Sequence, residues 1–279
     1  MGDCELILTG AGASSRTALE AVGRTMAQAF PAYTVRLVCT TRTPGGELRQ
    51  ALDQAVQHKI RTLLLQPVLL TRGEEYDRIQ AAAAPYAKYF SSLQIGAPLL
   101  DSAKGLEAVS EVLSSIARSY DSNTAVCFLG HGSKTRPNTV YTSLQALLPK
   151  SCFLGVLSGR PNAADVLSQL RASPYRRVVL HPLLLSAGGH ALRDMAGDSE
   201  TSWKSVFEKS GYPVQCVLRG LGEYPAIQAL FAARGKAAAG TARGGCSTST
   251  DSLSPASLRN LRSVERADPQ ARPLVVSIL

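Results

Sequence analysis

Residues 62–76, TLLLQPVLLTRGEEY, and residues 177–191, RVVLHPLLLSAGGHA, align with each other without a gap. Pro67 lies over Pro182, and Gly73 lies over Gly188. A second pair of segments, GAGAS from Gly10 and GHGSK from Gly130, aligns in the same order. Repeated segments in a constant order indicate an internal duplication. We therefore expect two similar lobes with a cleft between them.

Short runs rich in Val, Leu and Ile alternate with longer amphipathic stretches in both halves of the chain. Continuous apolar strands separated by helices are typical of parallel sheets that are covered on both faces. The sequence therefore predicts an α/β fold of two doubly wound lobes, with ligand sites beyond the carboxyl ends of the strands. We assign residues 1–121 to the N-terminal lobe and 122–234 to the C-terminal lobe, divided by the polar DSNT.

The apolar periodicity is lost from about Gly235 onwards. Residues 235–279 are rich in Gly, Ala, Ser and Thr. Such a segment cannot bury enough apolar surface to offset the entropy of ordering it. We expect a disordered tail there.

Composition narrows the class of protein. The net charge of +9 is compatible with an anionic ligand, but the chain has no basic run and few aromatic residues, so nucleic acid is not an expected partner. No apolar run is long enough to span a bilayer, and no secretory signal is visible, so we expect a cytoplasmic protein without a membrane anchor. A homo-oligomer is compatible with the sequence.

Two of the four histidines stand out. His58 ends an exposed amphipathic helix, and His181 lies inside a strand where Gln66 stands in the first repeat. His131, between two glycines, and His190, after two glycines, each follow the carboxyl end of a strand. In a parallel sheet both rings then emerge at the same edge, over one cleft.

Paired imidazoles can bind a divalent metal or transfer protons near neutral pH, although His190 could also be a helix cap. Carboxylates follow it at Asp194, Asp198 and Glu200. These could belong to the site or stabilise the start of the next helix, for which Asp198 or Ser199 is a suitable N-cap. The residues alone leave these alternatives open.

The segment GAGASSR, residues 10–16, offers a weaker alternative. A strand, Gly-x-Gly and a helix resemble a dinucleotide-binding loop, with Arg16 and Arg42 available for a 2′-phosphate. Ser15 stands where the third glycine belongs, and no acidic residue ends the second strand. Because GAG aligns with GHG, the two loops are more simply equivalent turns of a duplicated fold.

Several motifs of the second half resemble one enzyme family. FLGHGSKTRPNTVYTSLQALL, with Asn138 and Tyr141, HPLLLSAGGHALRDMAGDSETSWK, from His181, and GLGEYPAI, from Gly220, are similar to anaerobic sirohydrochlorin cobaltochelatases, which are class II tetrapyrrole chelatases. QPVLLTRGEEYDRI, from Gln66, resembles the family's first-lobe element. The resemblance covers nearly all of residues 4–234.

This resemblance implies a reaction. The family inserts Co2+, as the substrate metal, into a sirohydrochlorin-type tetrapyrrole without ATP or an organic cofactor, in anaerobic cobalamin synthesis. Carried over to this chain, the metal ligands and proton acceptors are His131 and His190. Neutral imidazole suits both tasks, because metal insertion must also remove two pyrrole N–H protons.

The chain departs from the family pattern at two positions. Ser158, in GVLSGRP, stands where the family has an active-site Glu, and Leu69 stands where a His is frequent. A hydroxyl cannot supply the negative charge of a carboxylate. Asp194, Glu200 and Glu75 are the candidates to compensate. The alternatives are a chelatase for Fe2+ or Ni2+, or a catalytically weakened tetrapyrrole- or metal-binding protein.

Overall fold

Two parallel β-sheets of four strands each form the framework of the protein. The computed structural model describes residues 3–11, 16–40 and 46–241. The strand order is β2-β1-β3-β4 in the first sheet and β6-β5-β7-β8 in the second, so both have one topology and the predicted fold class is confirmed. In chain order the strands are β1 Cys4–Ala11, β2 Thr34–Thr40, β3 Thr62–Pro67, β4 Ser92–Ile95, β5 Thr124–Gly132, β6 Cys152–Ser158, β7 Arg177–Pro182 and β8 Val214–Cys216.

Helices connect the strands and cover the sheets. In the described ranges the α-helices are α1 Arg16–Ala29, α2 Glu47–Gln57, α3 Glu74–Ala83, α4 Ala103–Ala117, α5 Thr139–Gln145, α6 Ala163–Arg171, α7 Trp203–Lys209 and α8 Pro225–Thr241. Shorter helical turns are the 3-10 helices Ala84–Tyr89 and Leu221–Glu223 and the π-helical turn Ala191–Met195. None of the helices described here is long and apolar enough to cross a membrane.

Strand register reproduces the internal duplication. Leu8 of β1 pairs with Gln66 of β3, and Phe128 of β5 pairs with His181 of β7. These are the pairs that the two sequence alignments, taken together, place at equivalent positions. β1 and β3 are therefore related to each other as β5 and β7 are.

Each sheet has its own helices on its outer face. In the first lobe, Ile7 and Leu63 belong to a core that includes Leu52 of α2 and residues of α3. In the second lobe, Cys127 of β5 belongs to a core with Trp203 of α7 and residues of α6. Alternate residues of each strand therefore face this outer layer, as the pleat requires.

The inner faces share one hydrophobic core that extends across both lobes. The last helix, α8, packs on α1, β3 and β4 of the first lobe, whereas α4 packs on α5 of the second lobe. Arg234 of α8 donates hydrogen bonds to Leu99 O at 2.9 Å and Ser102 Oγ at 2.8 Å, next to the start of α4. A division at residue 121 thus separates the two sheets, but α4 and α8 each pack against the lobe on the other side of it.

The segment that the sequence predicted to be disordered begins inside the last helix. α8 continues to Thr241, so the expectation of disorder is wrong for residues 235–241. A Cβ at Gly235 would lie 2.8 Å from Met26 Cε and 3.1 Å from Phe30 Cζ, both residues of the first lobe. The small residues here therefore permit close packing on the first lobe. Residues 242–279 lie outside the described residues.

Helix α8 follows the second sheet in the chain but packs on the first lobe. Loss of its apolar contacts should therefore lower the free energy of unfolding. Phe231 of α8 is fully buried, so Phe231→Ala should lower the free energy of unfolding by about 3–5 kcal/mol through the cavity it leaves. Leu218 is 49% exposed, and Leu218→Ala should cost about 1 kcal/mol or less. Urea unfolding of both variants measures this difference. Equal losses would mean that α8 does not contribute its apolar face to the core.

Candidate active site

The two histidines selected from the sequence lie against each other at the edge of the second sheet. His131 is the next-to-last residue of β5, and His190 directly precedes the π-helical turn that follows β7. β5 and β7 are parallel neighbours, so their carboxyl ends share one edge. The ring centroids are 4.8 Å apart and the ring planes meet at 85°. The structure therefore brings the two imidazoles into contact.

A cleft of about 1040 Å³ between the lobes contains this pair. The loops that follow β3 and β7, the equivalent strands of the two repeats, form its apolar floor. The floor residues are Val68, Leu69, Leu70, Leu183, Leu184 and Leu185. Such a surface, with polar groups at a few positions, suits a large and mostly flat organic ligand.

The glycines around His131 are required by close packing. A side chain at Gly130 would overlap the ring of Tyr141, and one at Gly132 would overlap Ser158 O. Gly132 also has a φ of +69°, which favours glycine. His131 Nδ1 lies 3.0 Å from Gly132 O. Because a carbonyl only accepts hydrogen bonds, Nδ1 carries the proton and Nε2 keeps its lone pair.

His190 is held by a side chain instead of a carbonyl. Its Nδ1 lies 2.7 Å from Asp194 Oδ2. His190 directly precedes the π-helical turn, but its side chain makes no capping hydrogen bond. The expected cap of the next helix was also wrong: Ser202, not Asp198 or Ser199, caps α7 by accepting from Ser205 N–H at 3.1 Å.

Asn138 braces the loop that carries His131, a role that sequence reasoning missed. Its Oδ1 accepts a hydrogen bond from Ser133 N–H at 2.9 Å. Its amide nitrogen lies 3.2 Å from Ser133 O, 3.3 Å from Ser158 O and 3.1 Å from Arg160 O. One side chain thus ties the loops after β5 and β6 together. The sequence signal for this role is the position of Asn138 directly before α5, because asparagine is common where a loop leads into a helix.

Ser158 and Glu75 both line the cleft. Ser158 ends β6 and pairs with Gly132, so it lies next to the strand end that carries His131. Glu75 comes from the first turn of α3 in the other lobe, with its carboxylate 3.5 Å from Arg78 Nη2. Within the described ranges, no three His, Cys, Asp or Glu side chains form a group that could hold a metal ion.

Cationic side chains surround the mouth of the cleft. Arg72 pairs with Asp101 at 2.8 Å, and Arg136 of the second lobe pairs with Asp77 of the first at 2.9 Å. These exposed pairs contribute little to stability. Lys134, three residues after His131, has no carboxylate partner in the part of the chain that the structure describes. The rim can therefore attract an acidic ligand.

The other two histidines do not reach the site. His58 is exposed at the end of α2, and His181 is fully buried in β7. His181 Nδ1 lies 3.2 Å from Pro182 O, so it donates, and Nε2 accepts from Tyr224 OH at 2.8 Å. Burial lowers the pKa of His181 to about 4. It is a structural residue, as its alignment with Gln66 of the first repeat suggested.

Most of the alternative nucleotide loop lies outside the described residues. Residues 12–15 and 41–45 are not described, and they include Ser15 and Arg42. Arg16 is described, and its guanidinium pairs with Glu20 at 3.1 Å. The nucleotide interpretation therefore gains no support from the described part of this loop.

The chain is similar to proteins of known function. The chain matches the family model described as Cobalt chelatase (CbiK) over residues 12–240. It is 32% identical over 187 residues to the sirohydrochlorin cobaltochelatase of Salmonella typhimurium, covering 66% of this chain and 71% of that protein. It is 29% identical over 195 residues to sirohydrochlorin cobaltochelatase CbiKC of Nitratidesulfovibrio vulgaris, covering 68% of this chain and 69% of that protein.

Solved structures have the same fold at lower identity. SirB from Bacillus subtilis with Fe3+ has a TM-score of 0.57 and 18% identity, over 86% of this chain and 97% of that one. CbiX, the terminal enzyme of siroheme biosynthesis in denitrifying bacteria, has a TM-score of 0.54 and 20% identity, over 84% and 99%. These likenesses concern the fold.

Burial of His181 predicts a pH dependence of stability. Its native pKa of about 4 lies below its unfolded value of 6.5, so the unfolded chain binds a proton that the native protein excludes. The free energy of unfolding should therefore fall by up to about 3 kcal/mol as the pH drops from about 6.5 to 4. His181→Gln, which copies Gln66, should flatten this slope in urea titrations. His58→Gln should leave it unchanged, and equal slopes for wild type and His181→Gln would contradict the assignment.

Proposed function

Because the chain belongs to the cobalt chelatase (CbiK) family, we propose that it inserts Co2+ into a sirohydrochlorin-type tetrapyrrole without ATP, in anaerobic cobalamin synthesis. One observation of this chain carries the proposal. Two imidazoles lie 4.8 Å apart, centroid to centroid, at the wall of an apolar cleft between the lobes. The macrocycle would lie on the floor of the cleft, next to them.

The cleft suits the chemical features of this substrate. A tetrapyrrole is a broad apolar ring whose edge bears carboxylates. The leucines of the floor would contact the ring, and the cations of the rim, Lys134 among them, would face the carboxylates. The volume of about 1040 Å³ is at the upper end of ligand sites, as a macrocycle requires.

Metal insertion exchanges one Co2+ for two pyrrole protons. His131 and His190 would first hold Co2+ through Nε2, since the hydrogen bonds at Nδ1 leave that lone pair free. As Co2+ passes to the pyrrole nitrogens, each Nε2 becomes free again and can accept one proton near neutral pH. Two imidazoles therefore account for two protons. The exchange involves no change of oxidation state, so the proposal needs no organic cofactor.

Ser158 carries the second candidate function. It lies in the cleft beside the strand end of His131 and supplies no negative charge. A protein that binds the tetrapyrrole or the metal, but inserts Co2+ slowly or prefers Fe2+ or Ni2+, would fit that substitution. Glu75, from the opposite lobe, is the candidate to supply a carboxylate in its place.

The histidine assignment predicts loss of insertion. In anaerobic assays with sirohydrochlorin and Co2+, followed by absorbance, His131→Ala and His190→Ala should each lower the rate by at least about 100-fold, because a ligand and proton acceptor is lost. His58→Ala, at an exposed histidine, should retain the wild-type rate. Parallel assays with Fe2+ and Ni2+ give the metal preference. Wild-type rates in both site variants would rule out the assignment.

Restoring the carboxylate separates the two candidate functions. Ser158→Glu should tighten Co2+ binding by about 10-fold or more and raise the rate at limiting Co2+, because a charged ligand is added beside the imidazoles. Ser168→Glu, on the exposed face of α6, is a matched control for the added charge and should leave Co2+ binding and the insertion rate unchanged. If neither wild type nor Ser158→Glu inserts any of the three metals, the binding protein is the better description.

A further inference from the structure

The contact between His190 and Asp194 is unlike the hydrogen bond of the partner histidine. His190 immediately precedes a π-helical turn, closed by the hydrogen bond from Ala196 N–H to Ala191 O at 3.0 Å. This turn places Asp194 against the imidazole, with Oδ2 2.7 Å from Nδ1. Asp194 itself does not line the cleft. π-Helical turns frequently occur at functional sites.

The chemistry of this contact assigns the tautomer of His190. A carboxylate only accepts hydrogen bonds, so in the neutral ring the proton is on Nδ1. Nε2 then keeps its lone pair. Because the His190 and Asp194 side chains are about half exposed, at 49% and 45%, packing alone does not fix the ring. The hydrogen bond is therefore the main restraint on its orientation.

We propose that Asp194 is the positioning residue for His190, holding the Nδ1–H tautomer and directing Nε2 to an incoming divalent cation. The inference rests on the proposed function for its catalytic consequence. His131 has its Nδ1 satisfied by a backbone carbonyl, which carries no net charge. Among the residues that the structure describes, a carboxylate contacts Nδ1 of His190 but not that of His131. Asp194 thus places a negative charge one imidazole away from the metal, in a site where Ser158 provides none.

Carboxylates that orient metal-binding histidines have a known effect. Their removal typically lowers metal affinity or activity 10–100-fold, because the ring loses both its orientation and part of its basicity. The same range is expected here for Asp194→Ala. Asp198 provides the matched control: it lies four residues further on, is 94% exposed and pairs with Lys204 at 2.8 Å.

The experiment uses the full chain without substrate. Long-range 1H–15N correlation spectra report which imidazole nitrogen of each histidine carries the proton. In wild type and Asp198→Ala, His190 should be the Nδ1–H tautomer. In Asp194→Ala, the Nε2–H form should become populated, while the signals of buried His181 stay unchanged and show that the fold is intact. Titration with Co2+ alone, followed by its visible absorption, should give a Kd about 10–100-fold weaker for Asp194→Ala only.

Two results would overturn the proposal. One is a wild-type His190 in which Nε2 carries the proton. The other is an unchanged tautomer and Co2+ affinity in Asp194→Ala relative to Asp198→Ala. Both measurements are made without a tetrapyrrole, so they do not depend on the identity of the substrate. A failure of the proposed function would instead appear as absence of Co2+ insertion by wild type.

Discussion

The pairing of β5 with β7 is the constraint on which the site depends. The two strands are parallel neighbours with Leu129 opposite Pro182, so the chain leaves both at the same edge. His131 is the next-to-last residue of β5, whereas the loop after β7 returns His190 to that edge just before the π-helical turn. A slip of one residue would turn every side chain of a strand to the other face. The contact between the imidazoles therefore requires this register.

Helices α4 and α8 each pack on the lobe to which they do not belong in the sequence. They hold the two lobes together and so fix the width of the cleft. α8 covers the first lobe and α4 contacts the second, and their apolar residues join one core. A large apolar interface of this kind restricts relative motion of the two halves. The ion pair between Arg136 and Asp77 adds a weak tie at the mouth. The shared core thus fixes the distance between the two sides of the cleft before a flat ligand binds.

Much of this arrangement could be predicted from the sequence, because the internal duplication is visible as two segments that align without a gap. The alignment of residues 62–76 with 177–191 predicted equivalent strands. In the structure, Gln66 pairs with β1 at the position where His181 pairs with β5. Two histidines after parallel strands indicated a shared edge. Composition was a poorer guide: Gly235 marked the expected start of disorder, although it allows α8 to approach α1.

Polar contacts were less predictable, because several residues compete for each of them. Asp198, Ser199 and Ser202 are all good N-cap residues, and only the backbone geometry selects Ser202. Asn138 bonds to carbonyls of two loops that are far apart in sequence from each other. The four-residue spacing of His190 and Asp194 was visible, but a π-helical turn cannot be recognised from spacing. Their contact follows from the fold.

The charge balance of metal insertion separates the tasks of these residues. Co2+ enters the macrocycle as two protons leave, so the net charge of the bound tetrapyrrole is unchanged. Under the proposed function, rim cations such as Lys134 would therefore bind substrate and product alike, so their removal would change KM rather than kcat. Charge is redistributed only between the imidazoles and the ring nitrogens. A site that must pass its metal on gains little from holding it tightly beforehand, since only interactions strengthened in the transition state speed the step. Under the proposed function, Ser158 in place of a carboxylate would thus weaken Co2+ capture more than transfer. The charge of Asp194, hydrogen-bonded to Nδ1 of His190, would support the imidazole without becoming a ligand that must be displaced.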